Sequence, residues 1–106
     1  MIEAKSLTLE NTVIVGIINN QQGSIQSKEY LDELAFLTHT AGGQVLKRFV
    51  QKMLIPSPKT FIGSGKMAEV ESYVIENEVT TVVFDDELTP AQQGNIEKIL
   101  RCKILD

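Results

Sequence analysis

A glycine-rich turn at residues 63–66, Gly-Ser-Gly-Lys, is the part of this sequence whose residue types best suit ligand binding. A turn of this kind at the start of a helix offers free backbone N–H groups and a lysine to an anion such as phosphate. It departs twice from the nucleotide-binding motif G-x-x-x-x-G-K-[ST], because Thr60 stands at the first glycine position and Met67 stands where Ser or Thr would hold magnesium. We therefore predict a helix start whose glycines adopt unusual backbone angles, with Lys66 solvated or against an external phosphate.

A run of acidic residues, Asp85, Asp86 and Glu87, follows the apolar stretch 79–84. Clustered carboxylates are typical of magnesium sites. Acidic residues before a helix also complement the helix dipole, and a Thr-Pro helix start comes shortly afterwards. We favour this structural interpretation, so no metal site is predicted. A crevice that binds a nucleotide or phosphate by itself stays as an alternative, and its residues would be Asn19, Asn20, Gly63, Gly65, Lys66, Asp85 and Asp86.

Catalysis by a nucleophile or by a zinc ion finds no support in the sequence. Cys102 and His39 are the only residues of their types, so a Cys/His zinc set cannot be assembled within one chain. Cys102 begins a short apolar segment, which is typical of a small core residue. His39 lies near the end of a predicted helix, where a positive charge interacts favourably with the helix dipole. We predict no catalytic residue, no metal and no cofactor for this chain.

Positive charge is concentrated in one part of an acidic chain whose formal net charge is -4. Residues 44–66 contain five basic side chains and no acidic one, whereas residues 69–87 contain seven acidic side chains and no basic one. An acidic total argues against indiscriminate nucleic-acid binding, yet a basic stretch can meet phosphates if folding gathers it on one face. A solvated edge strand and loop is the alternative interpretation. The candidate contacts, which we expect to share one surface, are Lys47, Arg48, Lys52, Lys59 and Lys66.

Apolar runs and helical patterns alternate along the chain, which is typical of βαβ units. Buried parallel strands are predicted at residues 12–18 and 79–84, and more polar edge strands at 44–55 and 102–105. With the apolar strands in the centre, the result is a four-stranded parallel sheet in the order 2-1-3-4. Right-handed crossovers then put the first helix on one face and the other two on the opposite face, a small three-layer α/β/α fold.

One domain over residues 1–106 fits the length and composition. The longest apolar run, residues 13–18, is far shorter than the roughly 20 residues of a membrane-spanning helix. The N-terminus also lacks the features of a signal peptide. We therefore expect a cytoplasmic protein without a membrane span.

Three motifs make the second half of the sequence specific. They are Thr-Phe-Ile-Gly-Ser-Gly-Lys at residues 60–66, Val-Val-Phe-Asp-Asp-Glu-Leu-Thr-Pro-Ala-Gln-Gln-Gly-Asn-Ile-Glu at residues 82–97, and Lys-Ile-Leu-Asp at residues 103–106. In this order and at this spacing they resemble the N-terminal domain of the HflX family of ribosome-associated GTPases. One residue departs from the family pattern, because Gly94 stands where family members usually have Arg.

The resemblance implies that the intact protein is a cytoplasmic, translation-associated GTPase that binds the large ribosomal subunit. It also implies a helical linker and a separate GTP-binding domain after residue 106, which would hold GTP and magnesium. This chain would then contact ribosomal RNA and work together with its own GTPase domain. On this interpretation the basic residues of 44–66 are the RNA contacts, and Gly63 and Gly65 let the backbone come close to the RNA.

Overall fold

The computed structural model describes residues 10–18 and 24–106. Strands and helices alternate along these residues, as predicted. Their bounds are β1 Glu10–Ile18, α1 Ser24–Thr40, β2 Gly43–Lys52, α2 Ser64–Glu76, β3 Thr81–Phe84, α3 Pro90–Leu100 and β4 Lys103–Leu105. The strands form one parallel sheet in the order β2-β1-β3-β4, which confirms the predicted topology.

The two central strands are apolar on both faces. Val13, Ile14 and Val15 of β1 have no exposed surface, and all four residues of β3 are buried. A parallel strand of this composition gains its stability from helices that cover both sides of the sheet. β2 and β4 carry most of the charged side chains of the sheet and lie at its edges, as their mixed composition predicts.

Three strands are shorter than their sequence patterns predict, and the fourth of the sheet begins at Lys103, one residue later than predicted. The third begins at Thr81, because Glu78 has a positive φ of 51° and the Val79 N–H donates to the Val74 carbonyl at the end of α2. Val79 is therefore buried in the core without belonging to the sheet. The second strand ends at Lys52, three residues earlier than predicted.

Helices cover both faces of the sheet, and each face has its own core. The larger core joins the sheet to α2 and α3, and its residues include Val13, Val15, Val82, Phe84, Met67, Val70, Val74, Ile96 and Leu100. On the opposite face, α1 packs on β1 and β2, with Ile14, Leu31 and Val83 buried there. The predicted three-layer arrangement is therefore confirmed. Within residues 10–18 and 24–106, none of the helices is long and apolar enough to cross a membrane.

Candidate nucleic-acid interface

Polar side chains of α3 hold the loop that precedes α2. α3 starts with the predicted capping box, in which the Gln92 N–H donates to the Thr89 hydroxyl at 3.1 Å and the Thr89 N–H donates to Gln92 Oε1 at 2.8 Å. The buried Gln92 also donates from Nε2 to the Ser57 carbonyl at 2.7 Å. Asn95 donates to the Lys59 carbonyl at 3.1 Å. The sequence Thr-Pro-x-Gln-Gln-x-Asn thus fixes the backbone of Lys59 beside α3.

The strained backbone of this loop is at Phe61 and not at a glycine. Phe61 has a φ of 69°, in the left-handed region that is unfavourable for a bulky residue. Its buried ring packs edge-on against Phe84, with 5.6 Å between ring centroids, and this burial offsets the strain. Gly63 has an extended backbone with a φ of -68°, and Gly65 lies inside α2. The prediction that the glycines adopt unusual backbone angles is therefore wrong.

The backbone N–H of Gly63 already has a partner within the protein. It donates to Gln51 Oε1 at the end of β2, at 2.8 Å. A Cβ at residue 63 would lie 3.1 Å from Gln51 Nε2, so glycine keeps this contact free of crowding. The N–H of Gly63 is therefore not available to an anion in this structure.

A groove of about 840 Å³ lies between α2 and α3, next to the loop that α3 holds. Its apolar lining includes Met67, Ala68, Ile75, Ile99 and Leu100. Its charged lining consists of Lys59, Lys98 and Arg101 with one acidic residue, Glu71. Among the ion pairs between described residues, none involves these three cations. The groove therefore combines an apolar surface with an excess of positive charge.

The basic residues of β2 lie on opposite faces of the sheet. Arg48 is on the α1 side, where its guanidinium lies 2.6 Å from the Asp32 carboxylate. The Nζ of Lys47 is on the other side, 5.1 Å from the ring centroid of Phe49 and 5.5 Å from that of Tyr73. Successive strand residues alternate between faces, so Lys47 and Arg48 cannot share one surface. The expectation of a shared surface is wrong for this pair.

The remaining predicted contacts differ in their surroundings. Lys66 is partly covered and lies 3.4 Å from the Glu69 carboxylate, one helical turn further on. Lys52 is exposed at the end of β2. Lys59 is exposed and is the one member of the predicted basic set that lines the groove.

The sequence predicts no binding role for Lys98 and Arg101, because a favourable interaction with the helix dipole already explains basic residues at the end of a helix. Their separation of three residues is the sequence feature that could have indicated a common surface, since residues i and i+3 lie on the same side of a helix. Arg101 has a left-handed backbone with a φ of 54°, directly after α3. The hydrogen bond from Asn95 to the Lys59 carbonyl then brings a third cation to the same region, which no local pattern shows.

A second cleft, of about 440 Å³, lies at the carboxyl end of β3 and is acidic. It is lined by Tyr30, Leu34, Phe84, Asp85, Asp86, Glu87 and Asp106. The Asp85 carboxylate lies against β1, because a Cβ on Gly16 would be 2.7 Å from Asp85 Oδ2. Burial raises the pKa of Asp85 to about 6; the charge of Asp86 also raises it, and a hydrogen bond from the Ile17 N–H opposes the change. Across the described ranges, no group of three or more His, Cys, Asp or Glu side chains is arranged to hold a metal ion.

The alternative nucleotide crevice is not assembled from the residues that the structure describes. Asp85 lies on the α1 side of the sheet, beside Gly16. Gly63 lies beside Gln51, which faces α2. The sheet therefore separates the acidic residues from the glycine-rich turn. Asn19 and Asn20, the two amide side chains of that crevice, lie outside the described residues.

The fold and the groove define a small α/β domain with a basic, partly apolar surface between its second and third helices. Comparison with known proteins assigns it to a family. Residues 28–106 match the family described as GTP-binding GTPase N-terminal. The chain belongs to this family, and its resemblance to the N-terminal domain of HflX GTPases is confirmed.

Individual relatives agree with this assignment. A protein named GTPase HflX from Flavobacterium psychrophilum is 59% identical over 106 residues, which is 100% of this chain and 26% of the relative. GTPase HflX from Lacrimispora saccharolytica is 34% identical over 106 residues, 100% of this chain and 24% of the relative. GTPase HflX from Escherichia coli is 33% identical over 97 residues, 92% of this chain and 22% of the relative. The chain therefore spans about a quarter of the length of the curated relatives it matches.

Proposed function

We propose that this chain is the docking domain of an HflX-type GTPase and that it binds RNA of the large ribosomal subunit. On this proposal the whole protein is a cytoplasmic, translation-associated enzyme. GTP and magnesium are bound and GTP is hydrolysed by the remaining part of the protein. The relatives are named GTPase HflX, which supports the enzymatic part of the proposal for the whole protein.

Within residues 10–18 and 24–106, the side chains do not fit a magnesium-nucleotide site. The N–H of Gly63 is engaged by Gln51, and Met67, which stands at the position of the magnesium-binding hydroxyl, is buried in the core. The Asp85 carboxylate lies on the other side of the sheet, beside Gly16. We therefore assign this chain a role in binding and no step in hydrolysis.

The observation that carries the RNA proposal is the groove between α2 and α3. Three cations surround it, and they have no carboxylate partner among the described ion pairs. A cleft lined mainly by one sign of charge concentrates its potential and attracts the opposite charge, here the phosphates of an RNA backbone. The guanidinium of Arg101 adds a planar group that can stack on an unpaired base, and the apolar lining can contact the base from the other side.

The proposal is tested by reversing two charges of the groove in the full-length protein. The variant is Lys59→Glu with Lys98→Glu, and binding to purified large subunits is measured by sedimentation at several salt concentrations. We expect weaker binding, and a log-log salt slope that is shallower by about 0.7 to 0.9 for each phosphate that the variant no longer neutralises.

The matched control reverses the same number of charges on the α1 side, with Lys28→Glu and Lys103→Glu. Both lysines are exposed and form ion pairs with surface carboxylates. Because two lysines are again replaced by two glutamates, the change in net charge is the same as in the groove variant. Equal binding by the groove variant and the unmodified protein, or a stronger decrease in the control, contradicts the proposal. Circular dichroism of each variant verifies that weaker binding is not caused by unfolding.

A further inference from the structure

The groove between α2 and α3 carries different side chains at its two ends. Both helices begin at the carboxyl edge of the sheet and run back along the strands, because each connects two parallel strands. Ile75 lies eleven residues after the first residue of α2, and Arg101 lies eleven residues after the first residue of α3. At about 1.5 Å per residue, both are about 17 Å from the start of their helices. Ile75 and Arg101 therefore lie at the same end of the groove, and Lys59, in the loop before α2, lies at the other.

Apolar side chains at the Arg101 end of the groove are open to water. Ile75 is 72% exposed, and Ile99, which also lines the groove, is only partly buried. The phosphates and sugars on the outside of an RNA duplex do not match such a surface, and the flat faces of paired bases are covered by stacking. An unpaired base presents an apolar face that can pack on aliphatic side chains, while the Arg101 guanidinium stacks on its other face. This end of the groove therefore fits a single unpaired base.

One carboxylate lies in this otherwise basic groove. Glu71 precedes Ile75 by four residues, so the two side chains lie on the same side of α2, one turn apart. None of the ion pairs between described residues includes Glu71. A carboxylate repels phosphates, but it accepts a hydrogen bond from the exocyclic amino group of cytosine, adenine or guanine. Uracil has no amino group, so Glu71 favours the other three bases.

We propose that the groove holds one unpaired nucleotide of the RNA and that the base of this nucleotide carries an exocyclic amino group. The base packs between Ile75 and the Arg101 guanidinium, and its amino group donates to the Glu71 carboxylate. The flanking phosphates lie against the ammonium groups of Lys59 and Lys98. This proposal rests on the proposed RNA-binding function and adds the class of RNA that is recognised, which is a bulged or single-stranded segment and not a continuous duplex.

The experiment measures fluorescence anisotropy of two labelled RNA single strands with the full-length protein. One is a nonamer of cytidine and the other is a nonamer of uridine. The two bases have nearly the same size, and the amino group of cytosine stands where uracil has a carbonyl oxygen. We expect the cytidine nonamer to bind at least about fivefold more tightly, which is the lower end of the discrimination that one contact to a base edge provides.

Two variants of α2 assign this discrimination to the groove. Glu71→Ala removes the carboxylate, and Glu76→Ala removes the same charge from an exposed position that does not line the groove. Both changes make the protein less acidic and raise the affinity for either RNA. Glu71→Ala should reduce the ratio of the two affinities to less than about twofold, and Glu76→Ala should leave this ratio unchanged. Equal affinity of the unmodified protein for the two nonamers, or a ratio that Glu71→Ala does not change, overturns the proposal.

A third variant tests whether the bound base is unpaired. Ile75→Ser should lower the affinity for the cytidine nonamer at least about threefold and leave the affinity for a blunt RNA duplex unchanged. Ile55→Ser is the control, because Ile55 is 77% exposed and does not line the groove. An equal loss of affinity for the single strand and the duplex overturns the proposal.

The same binding assay separates this proposal from the function on which it rests. If Lys59→Glu with Lys98→Glu weakens the binding of large subunits but the unmodified protein binds both nonamers equally, the RNA-binding function stands and the base contact is rejected. If that double variant binds large subunits and nonamers as the unmodified protein does, the RNA-binding function is rejected and this proposal with it.

Discussion

Replacing Asp85 by Asn is expected to stabilise the protein at neutral pH. The Asp85 carboxyl is half-buried against Gly16 of β1, and burial raises its pKa from 3.8 to about 6. At pH 7 the folded protein therefore holds a charge that its surroundings disfavour. Asn has nearly the same shape, accepts a hydrogen bond from the Ile17 N–H through Oδ1, and carries no charge.

The size and the sign of the effect follow from this pKa. A change from 3.8 to about 6 corresponds to about 3 kcal/mol. Because the side chain is partly open to water, screening reduces this to about 1–2 kcal/mol. Well below pH 3.8 the carboxyl is protonated in both states and has no cost. As the pH rises to about 6 the unfolded state releases its proton first, so the unmodified protein loses stability and Asp85→Asn does not.

The assay is urea unfolding of both proteins at pH 4, 5, 6 and 7. The free energy of unfolding of Asp85→Asn should be closest to that of the unmodified protein at pH 4 and exceed it by about 1–2 kcal/mol at pH 7. Glu87→Gln is the control, since it removes a carboxylate from an exposed position two residues away whose charge does not contribute to the raised pKa of Asp85. A difference that does not change with pH would show that folding leaves the pKa of Asp85 unchanged, and a loss of stability at pH 7 would show that the folded state stabilises the Asp85 charge. Either result would refute the reasoning.

Two further predictions concern α3. Gln92→Ala removes both the capping box and the donor to the Ser57 carbonyl, so urea unfolding should show a loss of about 2–3 kcal/mol, whereas Gln93→Ala on the same helix should cost less than about 1 kcal/mol. Gly94→Arg should raise the melting temperature by about 4 °C, because glycine inside a helix costs about 1 kcal/mol and an added Cβ meets nothing within 4 Å. The new cation lies one turn before Lys98, so the same variant should bind large subunits more tightly at low salt; unchanged binding would exclude this side of α3 from the RNA contact.

The order of the strands in the sheet could be predicted from the sequence because it depends on local composition. The runs at residues 12–18 and 79–84 are too apolar for an edge, and the segments around β2 and β4 are too polar for the centre. Handedness of the crossovers then leaves one arrangement of the helices. The capping box of α3 is equally local, since all its atoms lie within four consecutive residues. The motifs that identify the family are also contiguous stretches of sequence.

The candidate site depended on contacts between residues far apart in the chain. Lys59 joins Lys98 because Asn95 bonds a carbonyl 36 residues away, and no periodic pattern encodes that bond. The positive φ falls on Phe61 because its ring has Phe84 to pack against.

The surroundings of individual charged residues also depended on contacts between distant parts of the chain. Strand alternation alone separates Lys47 from Arg48, but the packed helices set which of them meets aromatic rings and which meets a carboxylate. Asp85 has the sequence context of an ordinary exposed acid, and its raised pKa arises when the fold brings its carboxyl against β1. The strand order of the sheet, the start of α3 and the family could be predicted from the sequence alone, because they depend on local preferences and contiguous motifs. Which charges meet and which are desolvated emerged with tertiary packing, because those energies depend on distances across the fold.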